Sequence, residues 1–196
     1  MREFDLFQFV SPEMLQDPKD METLARLESV ISWGSMTTLP REPEIWRVYF
    51  MGLFHSLEEK AFLKAVDRLQ LPTRMKSSMG QDRIACRESL KRLQSQKEWG
   101  PKEIYHTFAS LSVEAVIFLI ALSSSDRLNQ YANIYFTQYQ GKAEPSLTGD
   151  DLVEMGLEPG PVFQSVFNAL RDARVMGRVN TREEEVALVE EQFLKT

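Results

Sequence analysis

The chain has 196 residues, 43% of them hydrophobic and 27% charged, so it can bury a core in one large domain or two small ones. A single cysteine, Cys86, excludes an intrachain disulfide, and with two histidines it supplies too few ligands for a structural zinc site. The first residues lack a signal-peptide pattern, and the longest apolar run, 113–122, is about half a membrane span. We therefore expect a cytoplasmic protein that does not enter a membrane.

The net charge of −6 argues against binding to nucleic acid, but the charge is distributed unevenly. Between Arg68 and Lys102 the chain has nine basic and three acidic residues, so this stretch carries +6 and the remainder −12. Binding of a polyanion responds to the local potential more than to the total charge. The segment is thus a candidate binding surface.

In the first half of the chain, helix-starting signals follow one another. Ser11 and Asp17 each stand before a proline, which predicts helix starts at these positions. An apolar segment after Pro43 predicts a central helix, and Ser56 is expected to start the next one. The basic segment 72–96 is expected to form one or two helices.

In the second half, Pro101, Ser112 and Ser125 are expected to mark further helix starts. Two capping boxes are predicted, at 148–151 and 181–184, and both place acids in the first helical turn. Helix ends are predicted by glycines at 156 and 177. Because no sustained alternation indicates a strand, the sequence predicts an all-α fold of roughly ten helices.

A candidate phosphate-binding face lies on the basic segment. Arg83, Arg87 and Lys91 are spaced by four residues and would share one helical face, which further cations would extend into a band. The full set is Lys76, Arg83, Arg87, Lys91, Arg92 and Lys97. The alternative interpretation is a solvated face on which these cations pair with Glu88 and Glu98.

A second candidate site is the turn Pro159-Gly160-Pro161, which precedes an amphipathic helix. Free backbone N–H groups at a helix start can bind an anion, although the turn could equally serve to set the angle between two helices. Arg174 and Arg178 lie near the end of the same helix, where the helix dipole alone also favours cations.

Taken in order, these motifs resemble the closing segment of bacterial tRNA nucleotidyltransferases (CCA-adding and A-adding enzymes) and related poly(A) polymerases. The matching residues are Leu147-Thr148-Gly149-Asp150-Asp151-Leu152, Met155-Gly156-Leu157, Pro159-Gly160-Pro161, Gly177 and Thr181-Arg182-Glu183-Glu184-Glu185. The resemblance is clear over about residues 100–195 and weaker before that. It implies a helical body at 1–99 and a helical tail at 100–196. Gln164 and Asp150 depart from the pattern, since a glycine and a basic residue are common there.

The resemblance implies that this chain holds the elbow of tRNA or of tRNA-like RNA. It further implies catalytic domains N-terminal to the body, which use Mg²⁺ with ATP or CTP to add A or CCA to tRNA 3′ ends. The sequence contains neither the Asp-x-Asp triplet nor the Glu-Asp-x-x-Arg motif of those domains. We therefore expect no cofactor and no activity in this chain alone.

The alternative is a function of a different class, a helical protein-interaction or scaffold domain that binds no RNA. The acidic net charge favours it. The two hypotheses differ in salt dependence, which is strong for phosphate contacts and weak for an interface with an apolar centre.

Overall fold

The computed structural model describes residues 7–13, 18–36, 39–95, 98–123 and 125–194. Within these ranges all regular structure is helical and there is no strand, which confirms the all-α prediction. The helices are α1 (Phe7–Val10), α2 (Pro18–Met36), α3 (Ile45–Phe54), α4 (Glu59–Arg68), α5 (Thr73–Ser95), α6 (Pro101–Ala109), α7 (Val113–Ser123), α8 (Asp126–Ile134), α9 (Gly149–Glu154), α10 (Pro161–Val175) and α11 (Arg182–Val189). Two π-helical turns, Tyr135–Tyr139 and Glu190–Leu194, continue α8 and α11.

The helix starts in the first half agree only partly with the predictions. Helix α2 begins at Pro18 as expected, although Asp17 lies outside the described residues. Pro12 does not begin a helix; it lies in a turn that follows the end of α1. The predicted start at Ser56 was also wrong. Helix α4 begins at Glu59, and the residue before it, Glu58, makes no side-chain cap.

In the second half, the predicted helix ends are confirmed. Ser112 Oγ accepts a hydrogen bond from the N–H of Ala115 (3.1 Å) and so caps α7. Thr148 and Thr181 both form the predicted capping boxes. At the end of α10, Gly177 takes a positive φ of 67° and lets two backbone N–H groups return to carbonyls of the last turn.

The described residues fall into two compact units. The first comprises those up to Ser95 together with Thr107–Asn133, and the second comprises Glu98–His106 and those from Ile134 onward. The body and tail division at residue 99 was drawn from the resemblance and stays a prediction. The two compact units do not follow that division, since their boundary falls within α6, between His106 and Thr107.

The core of the first unit is built around α7, in which every residue from Val113 to Ala121 is buried. Helices α2, α3 and α5 all contact it. The expectation that 113–122 forms a buried core helix is therefore confirmed. Among the described residues no single helix is long and apolar enough to cross a membrane. The consecutive helices α6 and α7, which are separated by a bend, reach the required length and apolar composition only when they are taken together.

Helix α3 is less buried than its apolar composition predicts. Val48, Met51 and Phe54 are buried, whereas Trp46 is 45% exposed and Tyr49 37% exposed. The structure thus leaves an aromatic face of α3 in solvent. Such a face is the kind of surface that proteins use to bind other proteins.

The second unit has its own apolar core, formed where α9, α10 and α11 meet. Its buried members are Leu147, Leu152, Val166, Leu170 and Val189. Because these side chains come from three short helices and the segment before them, the geometry of the unit depends on how that segment is held.

One glycine permits a close helix contact in the first unit. A Cβ on Gly52 of α3 would lie 2.9 Å from Leu24 Cδ2 and 2.9 Å from Leu27 Cδ1 of α2. We expect Gly52→Val to lower the free energy of unfolding, measured by urea titration, by about 1–3 kcal/mol through overpacking. Gly80→Ala is the control. Its nearest neighbour is Phe62, at 3.9 Å, so a gain of roughly 0.5–1 kcal/mol is expected. Equal responses would contradict the contact.

Candidate nucleic-acid interface

The predicted band of cations on α5 turns inward at Arg83. The side chain of Arg83 is only 5% exposed, and its Nη1 donates to Glu59 Oε2 (2.7 Å). The guanidinium also lies 4.8 Å from the centroid of the Phe62 ring. Burial, followed by the charge of Arg87, lowers its pKa. Arg83 therefore stabilises the packing of α5 on α4 and offers no surface to an RNA phosphate.

Arg87 is engaged within the protein as well. Its Nη2 donates to the backbone carbonyls of His55 and Leu57, each at 2.8 Å. These carbonyls lie just beyond the end of α3, where a helix leaves acceptors without backbone partners. Arg87 thus fixes the turn between α3 and α4.

The remaining cations of the predicted band are partly available. Lys91 and Arg92, at the end of α5, are exposed, and Arg92 makes one long hydrogen bond to Thr107 Oγ1 (3.4 Å). Lys76 pairs with Asp67 of α4. Lys97 lies outside the described residues. The four-residue spacing therefore does not produce one continuous basic face.

A signal in the sequence could have indicated the inner face of α5. Met79, Cys86 and Leu93 recur every seven residues, and all three are buried. Arg83 follows Met79 by four residues and so lies on the same stripe. Because the helix is polar around most of its circumference, the seven-residue repeat of apolar residues was the sequence signal that indicated which side of α5 faces the core.

The Pro159-Gly160-Pro161 turn is exposed and directly precedes α10, with Pro161 at the first helical position. Gly160 has an extended backbone (φ 167°, ψ −162°). The first turn of α10 contains no acidic residue. However, Pro161 has no N–H and the N–H of Phe163 donates to the Gly160 carbonyl (3.0 Å), so this helix start offers an anion few backbone donors.

Of the two cations near the end of α10, Arg178 is exposed and Arg174 is held inside the second unit. Arg174 Nε donates to Glu185 Oε1 (2.5 Å) and its Nη2 to Ser146 Oγ (2.6 Å). Arg182 likewise pairs with Asp151 (2.5 Å). These pairs connect α9, α10 and α11 with the segment before them.

Sequence reasoning missed the acceptor at the centre of this arrangement. Glu185 is fully buried and accepts hydrogen bonds from the N–H groups of Ser146 and Leu147 as well as from Arg174. It appeared in the sequence as one of three consecutive glutamates, Glu183, Glu184 and Glu185. Only its helical spacing with buried Val189, four residues later, could have marked it as inward.

The resemblance implies Mg²⁺ and a nucleotide for the catalytic domains, not for this chain. No group of three or more His, Cys, Asp or Glu side chains among the described residues could hold a metal ion. The adjacent pair Asp150 and Asp151 begins α9, and Asp151 serves its capping box.

No protein-family model matches the chain. A curated relative, the A-adding tRNA nucleotidyltransferase of Geobacter sulfurreducens, is 26% identical over 187 residues, which is 93% of this chain and 21% of that protein. The chain thus spans about a fifth of the length of the curated relative it matches.

Two solved structures share the fold. A CCA-adding enzyme in an apo form superimposes with a TM-score of 0.75 over 98% of this chain and 44% of that one. A CCA-adding enzyme in complex with ATP gives 0.73 over 100% of this chain and 46% of that one. Both are 15% identical, so they show the fold alone. Together with the curated relative they confirm that the chain resembles the helical, C-terminal part of tRNA nucleotidyltransferases.

Proposed function

We propose that this chain is the RNA-docking helical part of a tRNA nucleotidyltransferase and holds RNA with the shape of tRNA. The observation that carries the proposal is the similarity to an A-adding tRNA nucleotidyltransferase along 93% of the chain. Double-stranded RNA is recognised mainly through its shape, phosphates and 2′-hydroxyls, and a helical surface with outward cations suits that task.

The residues we assign to phosphate contacts are those with a free outward face. They are Lys91 and Arg92 at the end of α5 in the first unit and, in the second unit, the turn at 159–161 and Arg178. Arg83, Arg87 and Arg174 were predicted alongside them, but all three are committed to carbonyls or carboxylates inside their own units. Their role is therefore structural. Lys76 forms an ion pair with Asp67.

The parent activity, addition of A or CCA to tRNA 3′ ends, belongs to this proposal as well. Because the sequence contains no Asp-x-Asp triplet, we assign to this chain the binding and orientation of RNA and not the chemical step. The partners are then tRNA and the catalytic domains of the same enzyme.

We expect fluorescent tRNA to bind the chain with strong salt dependence and in preference to an unstructured RNA of equal length. Lys91→Gln with Arg92→Gln should reduce the slope of log affinity against log salt by about 0.7–0.9 for each phosphate that is no longer neutralised. Titrations at several salt concentrations measure this slope. Lys142→Gln removes an exposed charge from the second unit and is the control. Absence of wild-type binding, or of a preference for tRNA, would refute the proposed function.

A second candidate function, a protein-interaction domain, is favoured by one observation. Trp46 and Tyr49 are exposed on α3, and aromatic residues of this kind dominate the energy of many protein interfaces. Their neighbour Glu42 is exposed and would repel RNA. Trp46→Ala should leave tRNA binding unchanged and weaken a protein complex whose affinity varies little with salt.

A further inference from the structure

Three exposed cations form a row on α4. Lys60, Lys64 and Arg68 follow one another at intervals of four residues, so they lie on one side of the helix. At 1.5 Å per residue the row extends about 12 Å along the helix axis. This row lies mostly outside the basic stretch 68–102 that the charge distribution alone identifies.

The acids of α4 are neutralised from the other side. Glu59 Oε2 accepts from Arg83 Nη1 (2.7 Å), and Asp67 Oδ1 accepts from Lys76. Both cations belong to α5. Lys60 and Lys64 are exposed, and these two carboxylates are paired with α5, whereas exposed Glu58 precedes the row.

These two pairs also fix the register of the helices. Glu59 is opposite Arg83 and Asp67 is opposite Lys76, so α4 and α5 run antiparallel. This register brings Arg74, which is exposed at the start of α5, near the end of α4 that carries Arg68. The row continues across the helix pair as a basic edge, which we define as Lys60, Lys64, Arg68 and Arg74.

Arg68 is already positioned. Its Nη1 donates to the carbonyls of Phe9 and Val10, both at 3.2 Å, while the residue itself stays exposed. A guanidinium held in this way loses less side-chain entropy when it contacts an anion than a free one does.

We propose that the basic edge is a second docking site for the sugar–phosphate backbone of RNA, in addition to the contacts assigned to Lys91, Arg92 and the 159–161 turn. This inference rests on the proposed function and extends it. Successive cations at intervals of four residues can contact successive phosphates of one strand. Such contacts read no base sequence; they fix how RNA lies on α4 and α5.

Exposed apolar side chains adjoin the edge, namely Leu63 (49% exposed) and Leu69 (40% exposed). Cations interspersed with exposed leucines could also attract an anionic lipid surface. The repeated spacing of the cations and the likeness to tRNA-acting enzymes favour RNA as the occupant, and vesicles belong in the test as the competing ligand.

The test compares the 196-residue chain with its Lys60→Gln/Lys64→Gln variant. Both lysines are exposed, so the midpoint of urea unfolding should not change. For fluorescent tRNA, the slope of log affinity against log salt should fall by about 0.7–0.9 per lysine. Bound tRNA should also protect the amines of Lys60 and Lys64 from acetylation, and should leave Lys142 reactive.

The outcomes separate the two proposals. If the wild-type chain binds tRNA and the variant keeps the same slope, with both lysines still reactive, the basic edge is refuted and the proposed function stands. If the wild-type chain does not bind tRNA, the proposed function fails and this inference fails with it. Binding to phosphatidylserine vesicles that depends on both lysines, with tRNA binding unaffected by them, would overturn the assignment to RNA.

Discussion

Replacing Glu185 with alanine should lower the free energy of unfolding by about 3–5 kcal/mol, because it leaves the buried N–H of Leu147 and the 14%-exposed side chain of Arg174 without their acceptor. The Glu185 carboxylate is fully buried and accepts from Ser146 N (2.9 Å), Leu147 N (2.9 Å) and Arg174 Nε (2.5 Å). Arg174 also donates to the carbonyl of Lys142 (3.4 Å). One side chain of α11 thus fastens the segment before α9 to α10.

Urea titration followed by circular dichroism measures this loss. Glu191→Ala removes an exposed glutamate six residues later and should change the free energy by no more than about 0.5 kcal/mol. Glu185→Leu combined with Arg174→Met should recover part of the loss, since the double change removes the unpaired guanidinium but not the two orphaned N–H groups. A loss below about 1 kcal/mol in Glu185→Ala would mean that water replaces the carboxylate.

The helix ends of the second half were predictable from sequence because their chemistry is local. A capping box needs a threonine and an acid three residues later, and Thr148 with Asp151 supplies both. Likewise Gly177 ends α10 through its own backbone conformation. Signals of this kind do not depend on the rest of the fold.

The candidate site was less predictable because it depends on helix orientation and on distant partners. Spacing alone put Arg83 on an outward face, but the burial of Cys86 and Met79 turns that side of α5 inward. Glu185 and Ser146 are 39 residues apart in the chain. A buried acidic side chain needs a hydrogen-bonding or charged partner, but the local sequence does not show which residue that partner is.

The same reasoning applies to Glu114, the one acid in the apolar helix α7. It is fully buried, and its two oxygens accept from Arg41 Nη1 (2.7 Å) and Nη2 (2.6 Å). The backbone N–H of Glu44 donates a third hydrogen bond (2.8 Å). These contacts attach the segment before α3 to the central helix of the first unit.

Glu114 should therefore make the first unit sensitive to acid. Burial by itself raises the pKa of this carboxyl, but the hydrogen bonds from Arg41 and Glu44 outweigh burial and hold the pKa at about 2. A folded-state pKa below that of the unfolded chain gives stability that is complete above about pH 4.5 and is lost as the pH falls toward 2. The difference corresponds to roughly 3 kcal/mol.

We expect Glu114→Gln to be about 3 kcal/mol less stable than the wild-type chain at pH 7, since the amide keeps the shape but not the charge that Arg41 pairs with. The gap should stay constant down to about pH 5 and shrink between about pH 4.5 and 2.5, which urea titrations at each pH measure. Burial raises the pKa of the neighbouring Asp82, so that group acts in the opposite direction. Asp82 is present in both proteins, but the charge of Glu114 contributes to raising its pKa, so the Glu114→Gln variant also lowers the pKa of Asp82. A gap that is independent of pH would show that ionisation of Glu114 does not account for the difference, whereas a shrinking gap assigns the acid sensitivity to its charge.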